Sequence, residues 1–86
     1  MVKFNLKLGS IEAVKDFSEK IKGVDANVDL VSGRHIVDAK SIMGVLSLSL
    51  TNEVTCIIHD NNKSVSTFVN EIKEYICGVV SVGEKN

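Results

Sequence analysis

The chain has 86 residues, 44% of them hydrophobic, and its ten basic residues stand against eleven acidic ones for a formal net charge of −1. That length allows a single domain, 1-86, with a core near the small end of what folds without help, and the apolar share argues against disorder. Arg34 is the only arginine and there is no run of like charge, so nothing in the chain could neutralise a stretch of nucleic-acid phosphates.

Val2, Phe4, Leu6 and Leu8 alternate with Lys3, Asn5 and Lys7, the period of a strand with one buried face. The same lysines exclude a signal peptide or a membrane span in this stretch, so a cytoplasmic protein with no membrane insertion is expected. Gly9-Ser10 breaks the strand, and Ser10 is placed to cap a helix. Ile11, Val14, Phe17 and Ile21 then share one helical face, with charged residues on the other, and Gly23 is expected to close the helix in the left-handed conformation.

The next strand runs from Ala26 to Leu30, Ser32-Gly33-Arg34 forms a turn, and His35 to Asp38 returns as the second arm of a hairpin. From Lys40 to Leu50 the chain is Ser-rich and uncharged after its first residue. This fits a short helix starting at Ser41, weakened by Gly44. Val54, Cys56 and Ile58 mark a fourth strand, and Asp60-Asn61-Asn62 a loop. Val65, Phe68, Val69, Ile72 and Ile76 define a last helix, capped by Ser64 and ended by Gly78, ahead of a frayed end from Gly83 to Asn86.

The expected order is β-α-β-β-α-β-α, an α+β fold whose largely antiparallel sheet carries its helices on one face. Periodicity alone leaves a ferredoxin-like layout with an added helix equally open. Cys56 and Cys77 fit no zinc or CxxC spacing and are expected to be small buried side chains in a reducing compartment. There is no paired-carboxylate arrangement with a base, no P-loop and no metal-ligand cluster, so neither an independent enzyme activity nor a cofactor is expected.

The segment Asp38-Ala39-Lys40-Ser41-Ile42-Met43-Gly44-Val45-Leu46-Ser47-Leu48 carries more information. It resembles the regulatory-serine segment of the HPr family, the phosphocarriers of the bacterial phosphoenolpyruvate:sugar phosphotransferase system (PTS), in which a KSIMG core followed by apolar residues and a serine is highly specific. The resemblance extends over nearly the whole chain. It implies an HPr-like open-faced β-sandwich with a four-stranded antiparallel sheet in the order 1-4-2-3 and three helices on one face.

HPr proteins carry a phosphoryl group on a histidine that opens the first helix, in a motif resembling Gly-x-His-Ala-Arg-Pro-Ala. Counting back from Asp25, Ser10-Ile11-Glu12-Ala13 falls on His-Ala-Arg-Pro, so Ser10 stands at the phosphohistidine position and Glu12 at the arginine position. A serine without an activating base is a poor acceptor and a carboxylate repels a phosphoryl group. Carriage at this position is therefore not expected. The regulatory site is retained, and the resemblance implies phosphorylation of Ser41 by HPr kinase/phosphorylase at a helix start that tolerates a phosphate.

Lys40, Ile42, Met43, Leu46 and Ser47 are the expected partner-binding residues. The implied partners are the kinase, a catabolite-control repressor, enzyme I and IIA proteins. The leading expectation is a regulatory member without the carrier histidine, like the catabolite-repression paralogue of the family, although Glu12 weakens the case for repressor binding. Two alternatives remain: a phosphocarrier using Ser10, His35 or His59, or a repurposed binding domain that is not phosphorylated.

Overall fold

The computed structural model describes residues 1–41 and 53–82. In chain order it comprises β1 (Val2–Leu6), α1 (Ile11–Ile21), β2 (Val28–Ser32), β3 (His35–Asp38), β4 (Val54–Ile58), α2 (Lys63–Glu71), a 3-10 turn (Lys73–Tyr75) and β5 (Ile76–Val82). The sheet is antiparallel with the order β3-β2-β4-β1-β5. Four of these strands are neighbours in the expected order, and the fifth lies against the outer edge of β1.

Alternation decides which face of the sheet is covered. Phe4 lies opposite Cys56 and Leu30 opposite Cys56 on the other side, and all three are buried. The intervening row, Asn5, Thr55 and Val31, faces the open side. α1 lays Ala13, Val14, Phe17 and Ile21 on the covered face and α2 adds Val65 and Phe68. The Phe17 and Phe68 rings meet edge to face with centroids 5.6 Å apart, joining the two helices over the sheet. The open-faced α+β arrangement expected from the sequence is therefore present.

Several details differ, each for a physical reason. Ile11, expected on the apolar face of α1, is exposed as the first residue of the helix. Gly23 is not left-handed; α1 ends on Lys22 in a right-handed conformation, with the Gly23 amide donating to the Lys20 carbonyl at 3.3 Å. The cap of α2 is Asn62 rather than Ser64. The Asn62 side chain accepts from the Val65 amide at 3.2 Å, while the Ser64 hydroxyl accepts from the Asp25 amide at 2.9 Å and so fastens the loop after α1.

The last helix stops at Glu71, and neither Ile76 nor Gly78 belongs to it. Both lie in β5, where Ile76 pairs with Leu6 and Gly78 with Asn5. Gly78 weakens a helix, and the β-branched Ile76, Val79, Val80 and Val82 favour a strand. The vacant edge of β1 supplies a partner for it. Of the two cysteines, Cys56 is buried as expected and Cys77 is exposed; both are free thiols. The third helix, expected to start at Ser41, lies outside the described residues. No helix among the described residues is long and apolar enough to cross a membrane.

Candidate functional site

The first candidate position is the start of α1. Gly9, at φ +73, turns the chain out of the sheet in a conformation that side chains other than glycine rarely adopt. Ser10 follows in extended geometry. Its hydroxyl accepts from the Ala13 amide at 3.1 Å and its carbonyl from the Val14 amide at 3.1 Å. Ser10 is thus the helix cap that its sequence position suggested. Glu12 sits in the first turn. There it complements the positive end of the helix dipole and sets a negative charge beside the exposed helix start.

The second position is the exit from β3. The buried Ala39 donates its amide to Val28 at 2.9 Å, which holds the segment against β2. Asp38 then organises a tight turn. Its side chain accepts from the Lys40 amide at 2.9 Å and its carbonyl from the Ser41 amide at 2.9 Å. The Lys40 ammonium reaches back to the Val24 carbonyl at 2.9 Å, in the loop that follows α1. Ser41 is left exposed at the end of this turn. Ile42, Met43, Leu46 and Ser47, the other expected partner-binding residues, lie outside the described residues.

Lys40 also lines an open groove of about 370 Å³ with Lys15, Ser18, Glu19 and Lys22 of α1 and the residue after it. Three ammonium groups face this groove against one carboxylate, and that carboxylate, Glu19, is paired with Lys22 at 3.0 Å. The groove therefore carries more positive than negative side chains in spite of the balanced overall charge. Nothing in the sequence pattern sets Lys15 and Lys22 apart from the other charged residues of α1. Their spacing of two helical turns places them on one face, but only the packing of α1 near the end of β3 brings Lys40 to join them.

The two histidines lie elsewhere. His35 opens β3 and is exposed. His59 follows β4, where its Nε2 lies 2.9 Å from Asp29 Oδ2. β4 begins with Val54 opposite Leu6 and ends with Ile58 opposite Val2, so His59 and Ser10 are at opposite ends of the sheet. No group of three or more His, Cys, Asp or Glu residues among the described residues could hold a metal ion.

A family model described as the PTS HPr component phosphorylation site matches residues 11–77. No curated protein matches the chain in a sequence comparison. Among solved structures, the crystal structure of HPr-C-His from Thermoanaerobacter tengcongensis superposes with a TM-score of 0.68 at 18% identity, covering 86% of this chain and 93% of that one. A histidine-containing phosphocarrier protein of Mycoplasma superposes with a TM-score of 0.65 at 20% identity, covering 84% of this chain and 88% of the other. At such identities the structures speak for the fold alone. The family match extends from the first residue of α1 to the second residue of β5, well over half of the sequence, and on that ground the chain belongs to the PTS HPr family.

Proposed function

We propose that this chain is a regulatory member of the HPr family in which the carrier position is vacated and the regulatory serine is kept. The observation that carries the proposal is the state of Ser10. Its hydroxyl is committed to the Ala13 amide as a helix cap, and Glu12 occupies the first turn where a phosphoryl group would need a cation. Neither a nucleophilic imidazole nor an anion-binding side chain stands there.

Ser41 is the modification site in this reading. It is exposed, its amide is held by Asp38, and it directly follows Lys40, which lines a groove with Lys15 and Lys22. Phosphorylation by an HPr kinase/phosphorylase would place about two negative charges one residue from Lys40. Lys40, Ile42, Met43, Leu46 and Ser47 would then form the docking surface for a catabolite-control repressor, for enzyme I or for IIA proteins. Soluble, cytoplasmic action as a binding protein rather than as a catalyst accompanies this reading.

A second reading, carriage of a phosphoryl group on another side chain, is favoured by the Asp29-oriented imidazole of His59. Asp60 directly follows it and would oppose the approach of an anionic donor. One experiment separates the readings: intact mass after incubation with HPr kinase and ATP, and in parallel with enzyme I and phosphoenolpyruvate. Acid-stable phosphate on Ser41 in the first incubation alone supports the regulator. Acid-labile phosphate on a histidine in the second would replace it with the carrier, and no label in either would leave a repurposed binding domain.

A further inference from the structure

β3 is an edge strand of the sheet, with no neighbour on its outer side among the described residues. Natural edge strands are normally blunted by charges, proline or bulges. This one carries Ile36 at its centre, 67% exposed on the open face of the sheet opposite Val31. The hairpin closes through a two-residue loop with Gly33 at φ +60, as a type II′ turn requires, and Ser32 pairs with His35. In such a hairpin the closing pair turns its backbone groups toward each other. By alternation the amide and carbonyl of Ile36 point outward, away from β2.

The strand is also complementary to itself. An antiparallel copy of β3, related by a two-fold axis normal to the sheet, must keep the open face on one side, so residues of equal parity oppose one another. With Ile36 opposite itself, the two isoleucines meet on the open face and their outward amides and carbonyls exchange a pair of hydrogen bonds. Continued one residue past the strand into the hairpin loop, the same register brings Arg34 of each copy to the Asp38 end of the other. Arg34 has no ion pair or hydrogen bond among the described residues. Asp38 meanwhile lies across from Asp29 within its own sheet, a like-charge pair that an incoming guanidinium would relieve.

We propose that β3 is a homodimerisation edge: two copies of this chain pair through it to form one continuous ten-stranded antiparallel sheet, fixed in register by two Arg34–Asp38 ion pairs that flank Ile36. The occupant is a second copy because the charge order from the hairpin loop to the end of the strand, basic at Arg34 and acidic at Asp38, reads as its own complement when reversed. The strand has only four residues, so the dimer is weak, assembling at high concentration and dissociating as salt screens the ion pairs.

Sedimentation equilibrium from the micromolar to the millimolar range tests this. The wild-type chain should pass from monomer to dimer, and Ile36→Lys, which changes an exposed side chain and leaves the core intact, should weaken the dimer at least tenfold. Arg34→Asp and Asp38→Arg, each checked for folding by circular dichroism, should be monomeric alone and form a one-to-one heterodimer when mixed. A wild-type chain that stays monomeric at millimolar concentration overturns the proposal. So does a dimer that survives Ile36→Lys unchanged, and a failure of the two folded charge variants to associate overturns the register. Should Asp38→Arg disturb the turn at Lys40, the Ile36→Lys comparison still decides the matter.

Discussion

Tyr75 donates its hydroxyl to Asp16 Oδ2 at 2.8 Å, joining the 3-10 turn that leads into β5 to the middle of α1, 59 residues earlier. The Lys20 ammonium shares the same oxygen at 3.0 Å. The contact ties the segment between α2 and β5 to α1. It also moves both partners in opposite directions. Its hydrogen bond to Asp16, with burial second, pushes the Tyr75 hydroxyl up to about 12, while the Tyr75 hydroxyl and then Lys20 hold the Asp16 carboxyl below its ordinary value.

Tyr75 is the only tyrosine and there is no tryptophan, so its titration can be read directly by near-ultraviolet absorbance. It should ionise near 12 in the native protein, and Asp16→Asn should return it toward the ordinary value of about 10. For stability the signs are opposite for the two groups. The raised tyrosine contributes below about pH 10 and loses that contribution as pH rises through its folded value. The lowered aspartate contributes above about pH 4 and loses its share as pH falls through its folded value. Tyr75→Phe should therefore cost a constant amount between these limits and converge on wild type outside them, measured by thermal melts across pH.

The edge-to-face contact of Phe17 with Phe68 sits at the centre of the covered face, and both rings are fully buried. Truncating either to Ala should cost about 3–5 kcal/mol through lost burial and the cavity left behind. That is a large part of the ~5–15 kcal/mol that holds a typical domain together. A double-mutant cycle should return a coupling of ~0.5–1.5 kcal/mol for the ring contact itself. Guanidinium unfolding of the four variants supplies the numbers. A coupling near zero would mean that the rings share the core without acting on each other.

Much of this architecture can be read from residue spacing. Phe4 and Leu6 announce β1 because a half-buried strand forces alternation, and Ser32-Gly33-Arg34 announces its turn because the loop needs a residue that accepts positive φ. Ser10 was legible as a cap for the same local reason. The failures are non-local. Ile76 continues the helical period of Val65, Phe68 and Ile72 and also opens a valine-rich strand; only the unfilled edge of β1, which no local window contains, decides between the two. Asn62 captures the cap of α2 because Ser64 is drawn away to the Asp25 amide, a contact across 39 positions. At the candidate site, Lys40 and Ser41 were visible through their motif, whereas Lys15 and Lys22 became neighbours of Lys40 only once α1 was packed.

The two thiols should behave differently toward alkylation. Cys56 lies in the core between β1 and β2, where burial first and the charge of Asp29 second push it up to about 12. Cys77 is exposed on β5, and although partial desolvation and Glu53 raise it somewhat, reagent can reach it. Native protein treated with iodoacetamide at mildly alkaline pH should gain one adduct, on Cys77, with Cys56 modified only after denaturant is added. Mass spectrometry of the intact and digested chain locates the label. Rapid modification of Cys56 under native conditions would indicate that the sheet opens locally on the timescale of labelling.

Ser10 offers the most direct test of what the first helix can do. Ser10→Ala removes the acceptor for the Ala13 amide and should cost about 1 kcal/mol, seen as a lower denaturation midpoint with unchanged slope. Ser10→His together with Glu12→Arg should do something different. An imidazole at the cap position and a guanidinium in the first turn would supply a nucleophile and a cation next to unpaired helix amides, the requirements of a phosphoryl site. The double variant should take an acid-labile phosphoryl group from enzyme I and phosphoenolpyruvate. Ser10→His alone should take up less, because Glu12 would still repel the incoming group. Labelling of the double variant would show that a histidine and an arginine at these two positions suffice for phosphoryl uptake, and a folded double variant that stays unlabelled would place the obstacle in the surface that meets enzyme I.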